Sequence, residues 1–379
     1  MPKKIKLSLR TAGVCLSSAV MGESVPIETG GFHSSSEGET FFRILESLTG
    51  EFLSAVAISP SHVDNLLVIV NQANEATIYL NEIRPTLLVQ SKVSTTAGQP
   101  VNKTDLADIR ELDLGIEIPK DCGFLYIFSV GWRKGLLFDF SPTQPGVIRN
   151  FDLNRALGAS FAFVLASERF ALNDVEWEQL IAKGWFPFIG LNDQTVHRMI
   201  DFLRTDIEID KLLPEIVSQI EMIGRSATDL AQKNPDFKAH SGFIQIALER
   251  FLESDCISAG SVLYPRIEGM LRTFYKLSSA TAKPGQATLL STAFPPEFAT
   301  RSATSLLRND RFVTYLERVI FAGFDWDNPA GVSRHTVGHG VVNQNDLSEK
   351  SILLAFLTVH HLLFALMSRR IDVGAEAKP

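Results

Sequence analysis

The hydrophobic positions change period once along the chain. Up to about residue 150 they come in short runs. Leu66-Leu67-Val68-Ile69-Val70, then 76–83 and 86–93, are each about strand length, and only 41–53 has helical spacing. The densest run is Phe124-Leu125-Tyr126-Ile127-Phe128-Ser129-Val130. After Gly131-Trp132-Arg133-Lys134-Gly135 comes a second arm, Leu136-Leu137-Phe138-Asp139-Phe140, which predicts a hairpin. Pro142-Thr143-Gln144-Pro145-Gly146 ends that arm and marks a boundary near 150.

From 151 onward the period is helical. Asn173-Asp174 predicts the cap of a helix that holds Trp177, Leu180 and Ile181 and stops near Gly184, with Trp185-Phe186-Pro187-Phe188 as a packed corner. Further helices are predicted over 193–204, 207–224, 226–234 and 238–253, and a second boundary at 254–258. Beyond it, a helix over 259–278 places Leu263, Ile267, Met270, Leu271 and Phe274 on one face, with Glu268 and Arg272 four residues apart. A loop over 281–296, a helix over 303–322 and a last helix follow. Asp346 is placed to cap that last helix, with Glu349 three residues on. The fold class is therefore α+β: a strand-rich domain over 1–150, a helical middle over 151–258 and a helical bundle over 259–379.

Two apolar stretches mimic targeting signals. The run 352–367 is short for a membrane span and contains His360-His361, so it reads as a buried core helix. One histidine is expected to be buried and hydrogen-bonded, the other at the helix border. Met1-Pro2-Lys3-Lys4-Ile5-Lys6 resembles the start of a secretory signal, but Arg10 interrupts it, and a first strand and turn is the plainer reading. Cys15, Cys122 and Cys256 are far apart and form no Cys-x-x-Cys pair. A disulfide framework is not expected, which suits a cytoplasmic location.

Charge narrows the search for chemistry. Residues 259–379 carry 13 Lys/Arg against 10 Asp/Glu, or +3, while 1–150 balances at 13 against 16 and 151–258 at 10 against 17. Only the last segment is net basic, which favours a polyanion there and argues against broad coating of DNA. That segment holds Ser333-Arg334-His335-Thr336-Val337-Gly338-His339-Gly340. Arginine stays charged and forks onto phosphate; histidine titrates near neutrality and moves protons.

Arg334 and His339 are five apart, with polar His335 directly after the arginine and a long apolar helix following. This resembles the Arg-polar-x3-His motif of the HEPN superfamily. The local text is similar to the Asn-Arg-His-x-x-x-His-Gly pattern of its Apea-like branch, with Ser333 standing where asparagine is usual. Leu263-Tyr264-Pro265-Arg266-Ile267-Glu268-Gly269-Met270-Leu271-Arg272 resembles that branch's upstream helix. The resemblance covers about residues 240–370, and Gly184-Trp185-Phe186-Pro187-Phe188 and the hairpin ending Phe138-Asp139-Phe140 are similar to uncharacterised bacterial proteins that carry such a domain. It implies a HEPN-like bundle that cleaves RNA without metal, leaving a 2′,3′-cyclic phosphate. Arg334 would clamp the phosphate, His339 would be the acid/base and His335 the orienting group, with Glu268 and Arg272 as supports. It also implies a homodimer formed through the bundle, with a phage-defence or toxin role and a possible regulatory or antitoxin partner.

Other readings stay open. The bundle could be a non-catalytic interaction or nucleotide-binding module, with Arg334 paired to Asp325 or Asp327, Gly338-His339-Gly340 serving as a turn, and Glu268–Arg272 a plain helix ion pair. His335 and His339, four apart, could share a zinc ion, but Thr336 stands where a metalloprotease has glutamate. No phosphate loop, dinucleotide fingerprint or nucleophile elbow occurs, so neither a cofactor nor a metal is expected. Asp139 and Glu117-Ile118-Pro119-Lys120 read as structural, and Trp132-Arg133-Lys134 as a solvated turn.

Overall fold

A computed structural model of the chain describes residues 2–8, 13–59, 62–278, 283–295, 304–327 and 331–376, with side chains described up to 369. The fold is α+β, with an antiparallel sheet in the N-terminal region and helices thereafter. Contacts divide it into two compact units, Met1–Val89 with Ile109–Ser167, and Gln90–Asp108 with Glu168–Pro379. This division differs from the three segments read from the sequence, because the packing runs across both sequence boundaries.

The first unit is built on a sheet of β1 (Lys3–Lys6), β4 (Gly30–Ser34), β5 (Asn65–Val70), β6 (Glu75–Leu80), β9 (Gly123–Val130) and β10 (Arg133–Asp139). Short β2 (Val14–Cys15) and β3 (Ile27–Glu28) pair with each other, as do β7 (Thr86–Ser91) and β8 (Leu106–Asp113). The sheet order is β1-β6-β5-β9-β10-β4, antiparallel throughout. Both faces are covered, which is why its central strands are apolar at almost every position. Leu66, Val68, Leu125, Ile127, Leu136 and Phe138 point at α1 (Glu39–Val56), whose Phe41, Leu45 and Phe52 meet them. Leu67, Phe124, Tyr126, Phe128 and Leu137 point the other way, toward Leu157 and Val164 of α2 (Leu153–Leu165).

The hairpin turn is tighter than the sequence suggested. Val130 pairs with Arg133, so only Gly131 and Trp132 turn the chain, and Arg133 and Lys134 belong to β10. Gly131 takes φ +60°, the left-handed conformation such a turn requires. Asp139 is buried, accepts hydrogen bonds from Ser141 N–H (3.0 Å) and Oγ–H (2.6 Å), and pairs with Arg149 at 3.8 Å.

The second unit is helical around one continuous core. Asn173 caps α3 (Asp174–Ala182) with a reciprocal Glu176 contact, and Trp185, Phe186 and Phe188 form the buried corner behind it. Asn192 caps α4 (Asp193–Arg204). The stretch 207–224 is not one helix. It becomes a 3-10 turn, the short α5 (Leu213–Val217), and then α6 (Ile220–Lys233), which absorbs the predicted 226–234 helix. Next come α7 (Lys238–Leu252) and α8 (Cys256–Ser278). The predicted loop over 281–296 contains α9 (Gln286–Ala293). The predicted 303–322 helix shrinks to α10 (Asn309–Tyr315) and a π-turn over Leu316–Ile320. Short α11 (Arg334–Gly338) precedes the long α12 (Glu349–Glu376).

Contacts close a ring of four helices, α6 to α7, α7 to α8, α8 to α12 and α12 back to α6. The boundary expected at 254–258 is only the tight turn between two packed partners, with Ser254 at φ +64°. Gly260 lets α8 and α12 approach closely, since an added Cβ would lie 2.7 Å from Ile352 Cδ1. Helix α12 begins three residues after Asp346: the Ser348 carbonyl accepts the Ile352 amide, and Asp346 ends a preceding 3-10 turn. By length and composition α12 could cross a membrane, but 94% of its most apolar window is buried inside the protein, as expected of a core helix.

Both histidines of α12 are buried, which corrects the placement of one at the border. His361 Nδ1 accepts the Ile189 amide at 3.1 Å and Nε2 faces the Leu307 carbonyl at 2.9 Å. His360 Nε2 meets Ser226 Oγ at 3.1 Å. Burial pushes both imidazoles down to about 3, so both are neutral at pH 7.

Candidate active site on a short helix

Helix α11 lies on α8, and its sequence explains its geometry. Ser333 Oγ accepts the Thr336 amide at 3.2 Å while Thr336 Oγ1 accepts the Ser333 amide at 2.9 Å. Serine therefore serves as the N-cap at this position as an asparagine would. Thr336 is buried and spends its hydroxyl on this cap. Gly340, at φ +71°, ends the helix, and the Val341 amide returns to the Thr336 carbonyl at 3.0 Å.

One turn of helix thus sets out the candidate residues. Arg334 reaches Glu268 of α8 rather than Asp325 or Asp327, its neighbours in sequence. The Arg334 Nε lies against Glu268 Oε2 as an ion pair without hydrogen-bond alignment. The same carboxylate takes Arg272 through Nε and Nη2, each 2.6 Å from Oε1. Two guanidinium groups on one carboxylate leave a local balance of 2 − 1 = +1. The Glu268 side chain is only 11% exposed, Arg334 25% and Arg272 46%, so the carboxylate is covered while the cations reach solvent. Gly338 makes room for this: a Cβ there would lie 3.1 Å from Arg334 Nη1.

The histidines follow the helical spacing. The His339 amide donates to the His335 carbonyl at 2.9 Å, and the two rings are nearly parallel, 6.4 Å apart at 18°. His335 Nε2 meets Gln286 Oε1 of α9 at 2.7 Å, which makes Nε2 the protonated nitrogen of the neutral ring. Burial, reinforced by the Arg334 and His339 charges, lowers its pKa; Glu268 opposes this. His335 therefore stays neutral at pH 7 and is held by Gln286. His339 is exposed, and among the described residues no hydrogen bond engages its ring.

Sequence reasoning missed three neighbours. Gln286 lies on the helix read as a loop. Phe324 and Trp326 pack beside His339, with ring centroids 5.8 and 5.4 Å away. Their only signal was an aromatic–acidic alternation, Phe324-Asp325-Trp326-Asp327. A depression of about 360 Å³ opens beside Ser333, walled by Ile181, Arg318, Val319 and Val332, but Arg334 and His339 do not line it. His339 is exposed, while Arg334 is half-buried against Glu268.

A shared metal would need more ligands than the two imidazoles of α11. Among the described residues no group of three or more His, Cys, Asp and Glu is arranged to hold an ion. Comparison of the chain with protein-family models, with curated proteins and with solved structures finds no match.

Proposed function

We propose that the helical unit is a metal-independent endoribonuclease of HEPN type, acting in the cytoplasm as a phage-defence or toxin effector. One observation carries this reading: Glu268 of α8 holds two arginines, with a net charge of +1, and one of them, Arg334, stands on the turn that presents an exposed His339. In this reading His339 takes the proton of a ribose 2′-OH, and the freed oxygen attacks the adjacent phosphorus. The bond to the 5′-oxygen breaks, and that oxygen takes up a proton. The products are a 2′,3′-cyclic phosphate and a 5′-hydroxyl. The guanidinium of Arg334 stabilises the charge that builds on the phosphoryl oxygens. Neutral His335, anchored by Gln286, fixes the turn.

The reading includes a homodimer through the helical bundle, which would bring two such turns to one RNA, and a neutralising partner that restrains it. The alternative is a nucleotide- or RNA-binding module that does not cut. It is favoured by the engagement of Arg334 with Glu268, which satisfies part of its charge inside the protein. Incubating the purified protein with end-labelled RNA in the presence of a chelator separates the two. The nuclease yields fragments ending in cyclic phosphate, lost in Arg334→Ala and His339→Ala. The binding module shifts the RNA intact.

A further inference from the structure

Trp326 is an anomaly on this surface. Its side chain is 66% exposed, although indole is among the most costly groups to leave in water. It is nonetheless ordered by two rings. Phe324 meets it at 4.7 Å and 61°, and His339 at 5.4 Å and 63°. Both contacts are steeply inclined, and with them in place about two thirds of the residue still meets solvent. An open aromatic face therefore stands beside the exposed imidazole, on the same surface as the Arg334–Glu268–Arg272 cluster.

We propose that Trp326, backed by Phe324, is a base-stacking residue that restricts this site to unpaired RNA. The proposal rests on the nuclease reading for its ligand. Every base has a π-face, so stacking on an indole tolerates sequence, and alanine substitution at such positions costs binding heavily. In an A-form duplex those faces are already stacked within the helix, so only a single strand, loop or bulge offers one to Trp326. The neighbouring cations supply the contact to the backbone, and the indole supplies the selection between paired and unpaired strands.

The test uses the full chain carrying Trp132→Phe, because Trp132 is also exposed while Trp177 and Trp185 are buried. Fluorescence in this background reports ligand at Trp326. The probe is a 2′-O-methyl RNA dodecamer, free or annealed to its complement, which binds but cannot be cut through a 2′-OH. The single strand should quench the emission and the duplex should not. Trp326→Ala and Trp326→Leu should each weaken single-strand binding roughly tenfold, while Trp326→Phe retains most of it. Single-strand binding without quenching, or with unchanged affinity in Trp326→Ala, would overturn the proposal. Binding that behaves as expected while unmodified RNA stays uncut would support the stacking role and remove the nuclease. Cutting of unmodified RNA by Trp326→Ala with unaltered strand preference would remove the stacking role and leave the nuclease standing.

Discussion

Arg334 on a five-residue helix is joined to Glu268 on the long helix beneath it, and Glu268 holds Arg272 at the same time. The carboxylate aims a cation. Glu268→Gln should leave Arg334 charged but unaimed, and RNA cleavage should fall roughly ten- to a hundredfold, since misplacing a catalytic group by about 1 Å has effects of that size. Arg334→Lys should not restore activity, because an ammonium cannot fork onto phosphate. Single-turnover rates of the three proteins, with thermal melts to confirm folding, check this.

Gly338 separates activity from stability. It sits in α11 at negative φ, so alanine fits the backbone and improves helix propensity by up to about 1 kcal/mol. The new Cβ would lie 3.1 Å from Arg334 Nη1 and must displace the guanidinium by a few tenths of an ångström. Gly338→Ala should therefore melt no lower than wild type yet cleave RNA several-fold more slowly. A variant that loses stability and rate together would show that the glycine serves the fold alone.

The buried histidines predict acid sensitivity. His361 accepts one hydrogen bond at Nδ1 and faces a carbonyl at Nε2, and protonating Nδ1 would break the bond from Ile189. With folded values near 3 and unfolded values near 6.5, the unfolded chain binds more protons between those limits. Stability should then fall as pH drops from 6.5 toward 3, by about 3 kcal/mol per histidine at pH 4. Urea midpoints at pH 7, 5.5 and 4 measure the slope, and His360→Asn should reduce it.

Much of the fold was legible because its signals are local. The period of 193–204 and the cap at Asn173 gave α4 and α3 directly, and the dense apolar run 124–130 gave the central strand. Helix α9 was not legible, since Pro284 and Pro295 flank it and its apolar face is only two turns long. Nor was the four-helix ring, because α6 meets α12 across more than 100 residues of chain. The candidate site was half legible. The motif placed Arg334, His335 and His339 on one turn. The non-catalytic alternative paired Arg334 with Asp325 or Asp327, its neighbours in sequence, whereas the observed partner is Glu268 of another helix, which the resemblance had named as a support.

Lys92 predicts the opposite limb of the pH profile. Burial, then the charge of Arg169, lowers its pKa to about 8. Between pH 8 and 10.5 the unfolded lysine holds a proton that the folded one has lost, so stability should rise over that window. Lys92→Met should remove the rise and be more stable than wild type at pH 7 by on the order of 1–3 kcal/mol. Denaturant titrations of both proteins at pH 7 and pH 9.5 decide it.

The central claim is that Arg334 and His339 cut RNA. The most direct measurement induces the wild type and the Arg334→Ala/His339→Ala double variant in a bacterial host, with growth and total RNA followed together. Growth arrest with RNA fragmentation in the wild type alone is the predicted result. Equal growth and intact RNA in both strains, at matched soluble expression, would contradict it.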